Sequence, residues 1–351
     1  MLKMTKNALL ICESGSDNLG DQAIADAVAI GIEAEGYEVE TTDFSCRSPY
    51  LHSRKISFVE KVFNKFAPQI VQGIIWSIRN FYCIYNVSNK KHDIVIIGGG
   101  QLIHSNINFP FAFFAWSFFN RKKRVYVLGC GCDKQFKNYE ICLFKKSFKH
   151  IKKGYLRDFD SIQNAKNIFE YEFFFAPDIA YLLREKVSKN DTAIRKTNIG
   201  ISVIDHKVYL RYADEVGNKA LSKEEYIDYW CEKIISLSTH YECIYFLSTT
   251  SSDHKFSSEV KNELESLHID KKIKICMTDS WRSFIKQLKE VDLYFSGRMH
   301  GLILARIADV KFLPYVVSNK IRVFNDELEK LEIKEVIEII KLSLAEICND
   351  K

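Results

Sequence analysis

The stretch Ile94-Val95-Ile96-Ile97-Gly98-Gly99-Gly100 joins a wholly apolar run to three consecutive glycines. The apolar run predicts a buried strand, and glycines at its carboxyl end allow another group to approach the backbone closely. In doubly wound sheets this edge is where ligands bind. We therefore predict an α/β fold in which Gly99, Gly100 and the following Gln101 and His104 lie at a binding site. The alternative for His104 is an ordinary loop histidine.

Short β-rich runs alternate with helical patterns on both sides of this stretch. The predicted strands are residues 7–12, 38–42, 93–97, 124–128, 153–157, 173–175, 198–203, 243–248, 273–276, 293–295 and 311–316. The predicted helices are residues 22–35, 58–85, 144–152, 224–240, 257–267, 280–290 and 325–348, with two more that begin near residues 161 and 299. Strands separated by helices predict parallel βαβ units.

Residues 182–197 are rich in charged and small polar residues and lack apolar periodicity, which is typical of a linker. We place the domain boundary there. The sequence thus predicts two Rossmann-like doubly wound domains facing a cleft that holds the site. The predicted domains are residues 1–185 and 196–320, followed by a helical segment at residues 321–351.

Composition excludes several classes of protein. The 50 Lys and Arg nearly balance the 45 Asp and Glu, which argues against a nucleic-acid partner. The apolar run at residues 8–12 is too short for a signal peptide, and no apolar stretch reaches the length of a membrane span. We expect a cytoplasmic protein whose ten cysteines are free thiols. The C-x-C pair at Cys130 and Cys132 lacks a second ligand pair, so we predict no metal site.

An aromatic block, Phe109–Phe119, stands directly before the basic run Arg121-Lys122-Lys123-Arg124. Aromatic and basic residues adjoin in this way where proteins rest on anionic lipid, so a peripheral contact with the inner face of the membrane is one interpretation. The alternative is a buried helix followed by a solvated turn, because apolar blocks this short usually belong to the core.

A loop of small and polar residues follows the first predicted strand and contains Asn18, Gly20 and Asp21. Such a loop exposes backbone N–H groups at a helix amino terminus, where an anion can bind. It does not have the G-x-G-x-x-G spacing of a dinucleotide site. The alternative is that Asn18 or Asp21 only caps the helix.

Arg157 stands at the carboxyl end of another predicted strand. A guanidinium in this position suits a carboxylate or a phosphate, which it can bind through two nitrogens. The alternative is an ion pair of Arg157 with Asp158 or with Asp178.

Arg298 and His300 follow the predicted strand at 293–295 and open an apolar helix, and Lys320 lies downstream. This pattern places a fixed cation and a titratable group at one strand end, as an anion-binding and proton-transferring site requires. The alternative for His300 is a capping or packing role.

Five segments, taken in order, resemble the polysaccharide pyruvyl transferase family. They read Asn18-Leu19-Gly20-Asp21-Gln22-Ala23-Ile24, Gly98-Gly99-Gly100-Gln101-Leu102, Arg157-Asp158-Phe159-Asp160-Ser161, Pro177-Asp178 and Gly297-Arg298-Met299-His300-Gly301-Leu302-Ile303-Leu304-Ala305. The resemblance implies a GT-B-like fold and transfer of a pyruvyl group from phosphoenolpyruvate to a sugar, usually as a ketal that bridges two hydroxyls. The chain departs from the family at residues 129–134, where Gly129-Cys130-Gly131-Cys132-Asp133-Lys134 replaces G-x-G-x-G-P.

The resemblance also implies roles for the residues at matched positions. The cations that hold phosphoenolpyruvate are Arg157, Arg298 and Lys320, and the catalytic acid or base is His300. The N-terminal domain is expected to be the acceptor side, with candidate residues Asn18, Gly20, Asp21, Gly99, Gly100, Gln101 and His104. The implied acceptor is a sugar of a surface polysaccharide, such as a capsule or exopolysaccharide, or a lipid-linked oligosaccharide precursor. Phosphoenolpyruvate is a co-substrate, and no further cofactor is expected.

Two other functions are compatible with the sequence. A GT-B glycosyltransferase with a nucleotide-sugar donor has the same architecture, and fold does not fix function. Such an enzyme is expected to pair a ribose-binding carboxylate with its diphosphate site, but Asp292 stands before the strand and Asp309 beyond the helix. A non-catalytic carbohydrate-binding or scaffold protein is the second alternative.

Overall fold

The computed structural model of the protein describes residues 6–46, 68–188, 197–328 and 331–350. The chain divides into two compact units. Unit 1 comprises residues 1–16, 24–182 and 336–351, and unit 2 comprises residues 17–23 and 183–335. These units differ from the predicted ranges in two places. The segment 17–23 belongs to unit 2, and the end of the predicted helical segment belongs to unit 1.

Both units are built on parallel sheets. The strands are β1 (Lys6–Cys12), β2 (Tyr37–Asp43), β3 (Ile94–Gly98), β4 (Arg124–Cys130), β5 (Lys153–Leu156) and β6 (Phe174–Phe175) in unit 1, and β7 (Asn198–Ser202), β8 (Cys243–Leu247), β9 (Lys272–Cys276), β10 (Leu293–Ser296) and β11 (Lys311–Pro314) in unit 2. The sheet of unit 1 has the order β2-β1-β3-β4-β5-β6, and that of unit 2 has the order β11-β10-β7-β8-β9. Every neighbouring pair is parallel. The predicted class of two doubly wound α/β domains is confirmed, and each predicted strand is present.

Helices connect these strands. In chain order they are α1 (Leu19–Ala34), α2 (Gln69–Asn89), α3 (Phe109–Phe119), α4 (Asn138–Phe148), α5 (Phe159–Phe169), α6 (His206–Tyr212), α7 (Lys223–Leu237), α8 (Ser251–Ser266), α9 (Trp281–Leu288), α10 (Met299–Ile307), α11 (Asn319–Leu328) and α12 (Ile333–Asn349). Short 3₁₀ helices occupy Ile179–Lys186 and Ala213–Val216. No helix among the described residues is both long enough and apolar enough to cross a bilayer.

Some helices differ from the sequence prediction. Of the helix predicted at 58–85, residues 58–67 lie outside the described residues, and α2 begins at Gln69. The pattern at 325–348 is divided between α11 and α12. The aromatic block at 109–119 is the helix α3, in which Phe113 and Trp116 are fully buried, so the buried helix given as the alternative for this block is confirmed. Because it is apolar on all sides, it has no 3.6-residue periodicity to predict it. The 3₁₀ helix Ile179–Lys186 extends into the first residues of the linker predicted at 182–197.

The order of the strands locates the edge at which each sheet can bind a ligand. In unit 1 the strand order reverses between β1 and β3, and in unit 2 it reverses between β7 and β10. Ligands of open α/β sheets bind outside the carboxyl ends of the strands at such points. Gly99 and Gly100 follow β3, and Arg298 and His300 follow β10. Each unit therefore has predicted site residues at its reversal point.

Aromatic side chains fill the core of unit 1. The ring of Phe148 on α4 lies within 6 Å of five other aromatic rings, which belong to Phe113, Phe144, Phe169, Tyr171 and Phe173. Ring pairs at such separations add to the free energy gained by burial alone. The high phenylalanine content of the chain is thus partly explained by this core.

Helix α12 completes unit 1 from a distant part of the sequence. Leu344 is buried at 2% exposure. The Tyr37 hydroxyl donates a hydrogen bond of 2.9 Å to the carbonyl of Cys348, which lies 311 positions later. The Tyr126 hydroxyl donates one of 2.8 Å to Oδ2 of Asp350. Unit 1 is therefore discontinuous in sequence.

We predict that Phe148→Ala lowers the free energy of unfolding of unit 1 by about 3–5 kcal/mol, because it leaves a cavity among the surrounding rings. Urea denaturation followed by circular dichroism measures the change. Leu342→Ala is the matched control, since this side chain is 66% exposed on α12, and it should shift the free energy by less than about 0.5 kcal/mol. Equal effects of the two substitutions would contradict a core centred on Phe148.

Candidate active site

Arg298 and His300 stand at the carboxyl end of β10. Strand β10 ends at Ser296, and α10 begins at Met299. The backbone N–H of Arg298 donates to Oγ of Ser296 at 3.0 Å. Arg298 is the N-cap residue of α10, and His300 is the second residue of that helix. The strand end and the helix start therefore fix the backbone positions of both residues.

A buried carboxylate holds the guanidinium of Arg298. Nε donates to Oδ2 of Asp253, and Nη2 donates to Oδ1, both at 2.7 Å. Asp253 is completely buried, while the Arg298 side chain is 24% exposed. Burial alone would lower the pKa of Arg298, but Asp253 more than offsets it and raises the pKa above its ordinary value. Arg298 is thus a permanent cation with a fixed orientation and a partly exposed side chain.

Asp253 was not predicted as a site residue. It lies in the first turn of α8, after the N-cap Thr250, and also accepts a 2.9 Å hydrogen bond from the backbone N–H of Asp205. An acidic residue in the first turn is common to many helices. The sequence therefore carried no local signal that this carboxylate binds Arg298.

The imidazole of His300 packs against Gly20. A Cβ atom on Gly20 would lie 2.1 Å from Nδ1 of His300 and 2.5 Å from its Cβ. Such distances are far shorter than van der Waals contact, so any side chain at position 20 would displace His300 or the helix. His300 itself is 8% exposed. Position 20 therefore requires glycine, because His300 occupies the space that a side chain would take.

The segment 17–23 is attached to unit 2 by further contacts. The backbone N–H of Leu19 donates to the carbonyl of Thr249 at 2.9 Å, and the hydroxyl of Ser251 donates to Oδ2 of Asp17. Asn18 Oδ1 accepts from the N–H of Gly20 at 3.1 Å. The structure therefore brings the first predicted cluster to the histidine motif, although the sequence placed the two in different domains.

The remaining predicted residues of unit 2 lie at helix starts. Asp21 is half-buried in the first turn of α1. Its N–H donates to the carbonyl of Asn18 at 3.0 Å. Asn18 thus caps the turn, as one alternative proposed. Lys320 is the second residue of α11 and is exposed.

In unit 1 the predicted glycines permit a tight turn after β3. Gly99 and Gly100 have φ values of 80° and 69°, which favour glycine. A Cβ on Gly99 would lie 2.1 Å from Cγ2 of Ile24. Both glycines are buried. Their observed role is to turn the chain and to let α1 pack closely.

Polar side chains after three neighbouring strands form one chain of hydrogen bonds. Nη2 of Arg157, after β5, donates to Oε1 of Gln101, after β3. Nε2 of Gln101 donates to Oδ1 of Asp133, after β4, at 2.9 Å. Oδ2 of Asp133 contacts Nδ1 of His104 and accepts from the N–H of Ser105 at 2.8 Å. Asp133, which was not predicted, therefore joins His104 to Gln101, and Gln101 contacts Arg157 directly.

His104 and Asp133 form a histidine–carboxylate pair that is partly open to solvent. Their side chains are 34% and 23% exposed. Burial works to raise the pKa of Asp133, but the hydrogen bond from His104 and the backbone and amide donors outweigh it and lower the pKa. A carboxylate at Nδ1 orients the ring and leaves Nε2 to exchange a proton. The pair therefore has the geometry of a general base.

The guanidinium of Arg157 is almost fully buried, with 3% of its side chain exposed. Nε lies 3.5 Å from Oδ2 of Asp158, and Nη1 lies 3.7 Å from Oδ2 of Asp178. Among the described residues these two nitrogens have no hydrogen-bond partner. Both ion contacts named as alternatives are therefore present. Gly131 allows this arrangement, because a Cβ there would lie 2.4 Å from Oε1 of Gln101.

The described ranges contain no cluster of three or more His, Cys, Asp or Glu side chains that could hold a metal ion. Cys130 is fully buried, and burial raises its pKa to about 12. Burial likewise raises the pKa of Cys132. At neutral pH both are therefore protonated thiols.

Comparison with known proteins identifies the family. The family model for polysaccharide pyruvyl transferase matches residues 18–319. The chain therefore belongs to the polysaccharide pyruvyl transferase family, and it is a transferase of polysaccharide biosynthesis. No curated protein sequence gives a significant match.

Solved structures show a likeness in fold. The UDP-GlcNAc 2-epimerase of Methanocaldococcus jannaschii is 13% identical, with a TM-score of 0.52 over 97% of this chain and 99% of that chain. An alpha-glucosyltransferase in complex with UDP and DNA is 8% identical, with a TM-score of 0.49 over 99% of this chain and 95% of that one. The epimerase likeness and the two parallel sheets support the predicted GT-B-like fold class.

We predict that Gly20→Ala destabilises the protein by about 1–3 kcal/mol, because the added methyl group overlaps His300. The sign of the stability change is diagnostic, since an unhindered Gly→Ala change in a helix stabilises the protein by up to about 1 kcal/mol. Urea denaturation gives the difference. Glu33→Ala, an exposed position of the same helix, is the control and should have little effect. A stabilised Gly20→Ala variant would show that His300 does not pack there.

A second prediction concerns the pH dependence of stability. Because the folded-state pKa of Asp133 lies below its unfolded value of about 3.9, its stabilising contribution is present above that value and is lost as the pH falls through the folded pKa. Asp133→Asn should therefore be less stable than wild type at neutral pH, and the difference should shrink below about pH 4.

Urea denaturation of both proteins across this pH range measures the effect. Glu172→Gln, an exposed acid of the same unit, is the control and should follow the wild-type profile. An Asp133→Asn deficit that is independent of pH would contradict an ionised Asp133 paired with His104.

Proposed function

We propose that the protein transfers the pyruvyl group of phosphoenolpyruvate to two hydroxyls of a sugar, as a cyclic ketal. The sugar belongs to a surface polysaccharide or to its lipid-linked precursor. The observation that carries this proposal is the arrangement in unit 2, where a guanidinium fixed by a buried carboxylate stands two residues before a buried imidazole. Family membership supports the transferase class, and the donor and acceptor are our proposal.

The donor site is built on Arg298. Phosphoenolpyruvate carries a carboxylate and a phosphate, and removing these anions from water requires fixed cations. Asp253 holds the Arg298 guanidinium through Nε and Nη2, so its orientation is set before the donor arrives. Lys320, exposed at the start of α11, is proposed as a second contact. Arg157, in unit 1, stays a predicted third contact, although its side chain is only 3% exposed.

His300 is proposed to be the acid that starts the reaction. It donates a proton to the methylene carbon of phosphoenolpyruvate, and positive charge develops at the adjacent carbon. A sugar hydroxyl attacks that carbon and loses its proton to a base. The second hydroxyl then displaces phosphate, passes its proton to the deprotonated His300 and closes the ketal, so the products are the ketal and inorganic phosphate. A positioned acid of this kind contributes about 10²–10⁴-fold to the rate.

His104 is proposed as an acceptor residue whose ring can take a proton from a sugar hydroxyl. Asp133 holds Nδ1 of this ring, and the side chain is 34% exposed, so part of the imidazole is open to solvent. The side-chain amide of Gln101 donates to the other carboxylate oxygen of Asp133, Oδ1, and holds the carboxylate in place. We therefore propose separate roles for the two predicted acceptor residues. Gln101 positions the carboxylate of Asp133, and His104 exchanges the proton.

The test is titration of the protein with phosphoenolpyruvate by calorimetry, because this needs no knowledge of the acceptor. We expect binding by wild type and a loss of about tenfold or more in Arg298→Ala, since a charge-assisted hydrogen bond contributes about 1.5–3 kcal/mol. Asp253→Asn should also weaken binding, because it removes the charge that orients Arg298. An Arg157→Lys variant tests the predicted third contact separately.

Two control variants make the titration specific. Arg282→Ala removes an exposed arginine of the same unit, which packs over Trp281, and should bind phosphoenolpyruvate as wild type does. His104→Ala should also retain donor binding, because its proposed role concerns the acceptor. Binding of UDP-sugars without binding of phosphoenolpyruvate would overturn the proposal in favour of glycosyl transfer. Binding of neither would favour a non-catalytic role.

A further inference from the structure

Helix α2 presents an apolar stripe to solvent. The stripe, which we call the α2 stripe, consists of six large apolar side chains that are 42–75% exposed: Ile70, Ile74, Ile78, Phe81, Tyr82 and Tyr85. Spacings of three and four residues place them along one side of the helix. Single exposed apolar residues are ordinary, but a contiguous group of this size indicates a contact surface.

The α2 stripe belongs to a fixed part of unit 1. Gly73 lets α2 pack closely on α3, because a Cβ at that position would lie 2.1 Å from the ring of Phe111. The ring of Phe119 on α3 lies 5.4 Å from that of Phe81 and 6.1 Å from that of Tyr85. The stripe therefore continues onto the end of α3 as one surface.

A basic cluster adjoins this surface. The ring of Phe118 meets that of Phe119 edge to face, with 5.6 Å between the ring centroids, and the guanidinium of Arg121 lies 4.1 Å from the centroid of the Phe118 ring. Nζ of Lys123 donates to the carbonyl of Lys90 at 2.8 Å, just beyond the end of α2. These contacts join the basic run after α3 to the lysines after α2. Exposed members of the cluster are Lys90, Lys91, Arg121 and Lys122.

The charge of this region is strongly one-sided. Residues 69–124 contain seven Lys or Arg and one acidic residue, Asp93, whereas the whole chain is nearly balanced. Of the basic residues, Lys90 pairs with Glu40. An apolar surface beside a basic cluster fits a partner that is apolar and anionic at once. A second copy of this chain would offer almost no acidic groups from the same region.

We propose that the α2 stripe docks on a bilayer containing anionic phospholipid. The helix lies in the plane of the membrane, its isoleucines and aromatic rings enter the boundary between headgroups and acyl chains, and the basic cluster contacts the anionic headgroups. Tyr82, at 75% exposure, places its hydroxyl at the polar boundary. This surface differs from the one first considered in the sequence, because the aromatic block at 109–119 is largely packed against the core.

Flotation of the full-length protein with vesicles tests the proposal. We expect wild type to float with vesicles of phosphatidylcholine and phosphatidylglycerol, to float poorly with phosphatidylcholine alone, and to be released by salt. Ile78→Asp should weaken binding about tenfold or more, because a buried isoleucine contributes about 1.5–3 kcal/mol. Lys122→Glu should weaken it about fivefold or more, at about 1 kcal/mol for each basic residue.

The control is Leu342→Asp, which alters a side chain of α12 with 66% exposure and should float as wild type does. Circular dichroism checks that each variant is folded. Failure of the wild type to float, or equal flotation of Ile78→Asp and wild type, would overturn the proposal. Dimers that Ile78→Asp dissociates, seen by light scattering without flotation, would assign the surface to a second copy instead. Phosphoenolpyruvate binding does not enter this test, so the two proposals fail independently.

Discussion

The two hydrogen bonds between Asp253 and Arg298 are the interaction on which the unit 2 site depends. A fully buried carboxylate is costly unless it is paired and its oxygens accept hydrogen bonds. Asp253 meets both conditions, with Arg298 on both oxygens and the N–H of Asp205 on Oδ1. Removing Arg298 would leave the Asp253 carboxylate buried without its counter-charge. The result of this pairing is a guanidinium with a fixed orientation. It stands next to His300, whose position is confined by Gly20.

The polar chain of unit 1 follows from the parallel sheet. Gln101, Asp133 and Arg157 are far apart in sequence, but each comes directly after one of three neighbouring strands. Parallel strands bring their carboxyl ends to one edge, so short polar loops there meet side by side. Gly131 then leaves room for Gln101 and Arg157 to touch. The topology of the sheet thus accounts for the contact between residues that no local pattern connects.

The strands could be predicted because each is a short run rich in apolar or β-branched residues, and the doubly wound class follows from their alternation with helices. Helix α3 was harder, since it is apolar on every side and has no periodicity. Asp253 and Asp133 were not predicted as partners, because pairing across the fold leaves no mark in the local sequence. For the same reason the segment around Gly20 was assigned to the N-terminal domain, although it contacts His300.

The discontinuity of unit 1 has a consequence for synthesis on the ribosome. The hydrogen-bond partner of Tyr37, Cys348, is synthesised 311 residues later. The partner of Tyr126, Asp350, is synthesised 224 residues later. The whole of the intervening unit must therefore emerge before α12 can cover the first sheet. Until then the apolar surface of α1 around Gly31, against which Leu344 packs, lacks its cover, and such surfaces are the ones that chaperones recognise and that associate wrongly.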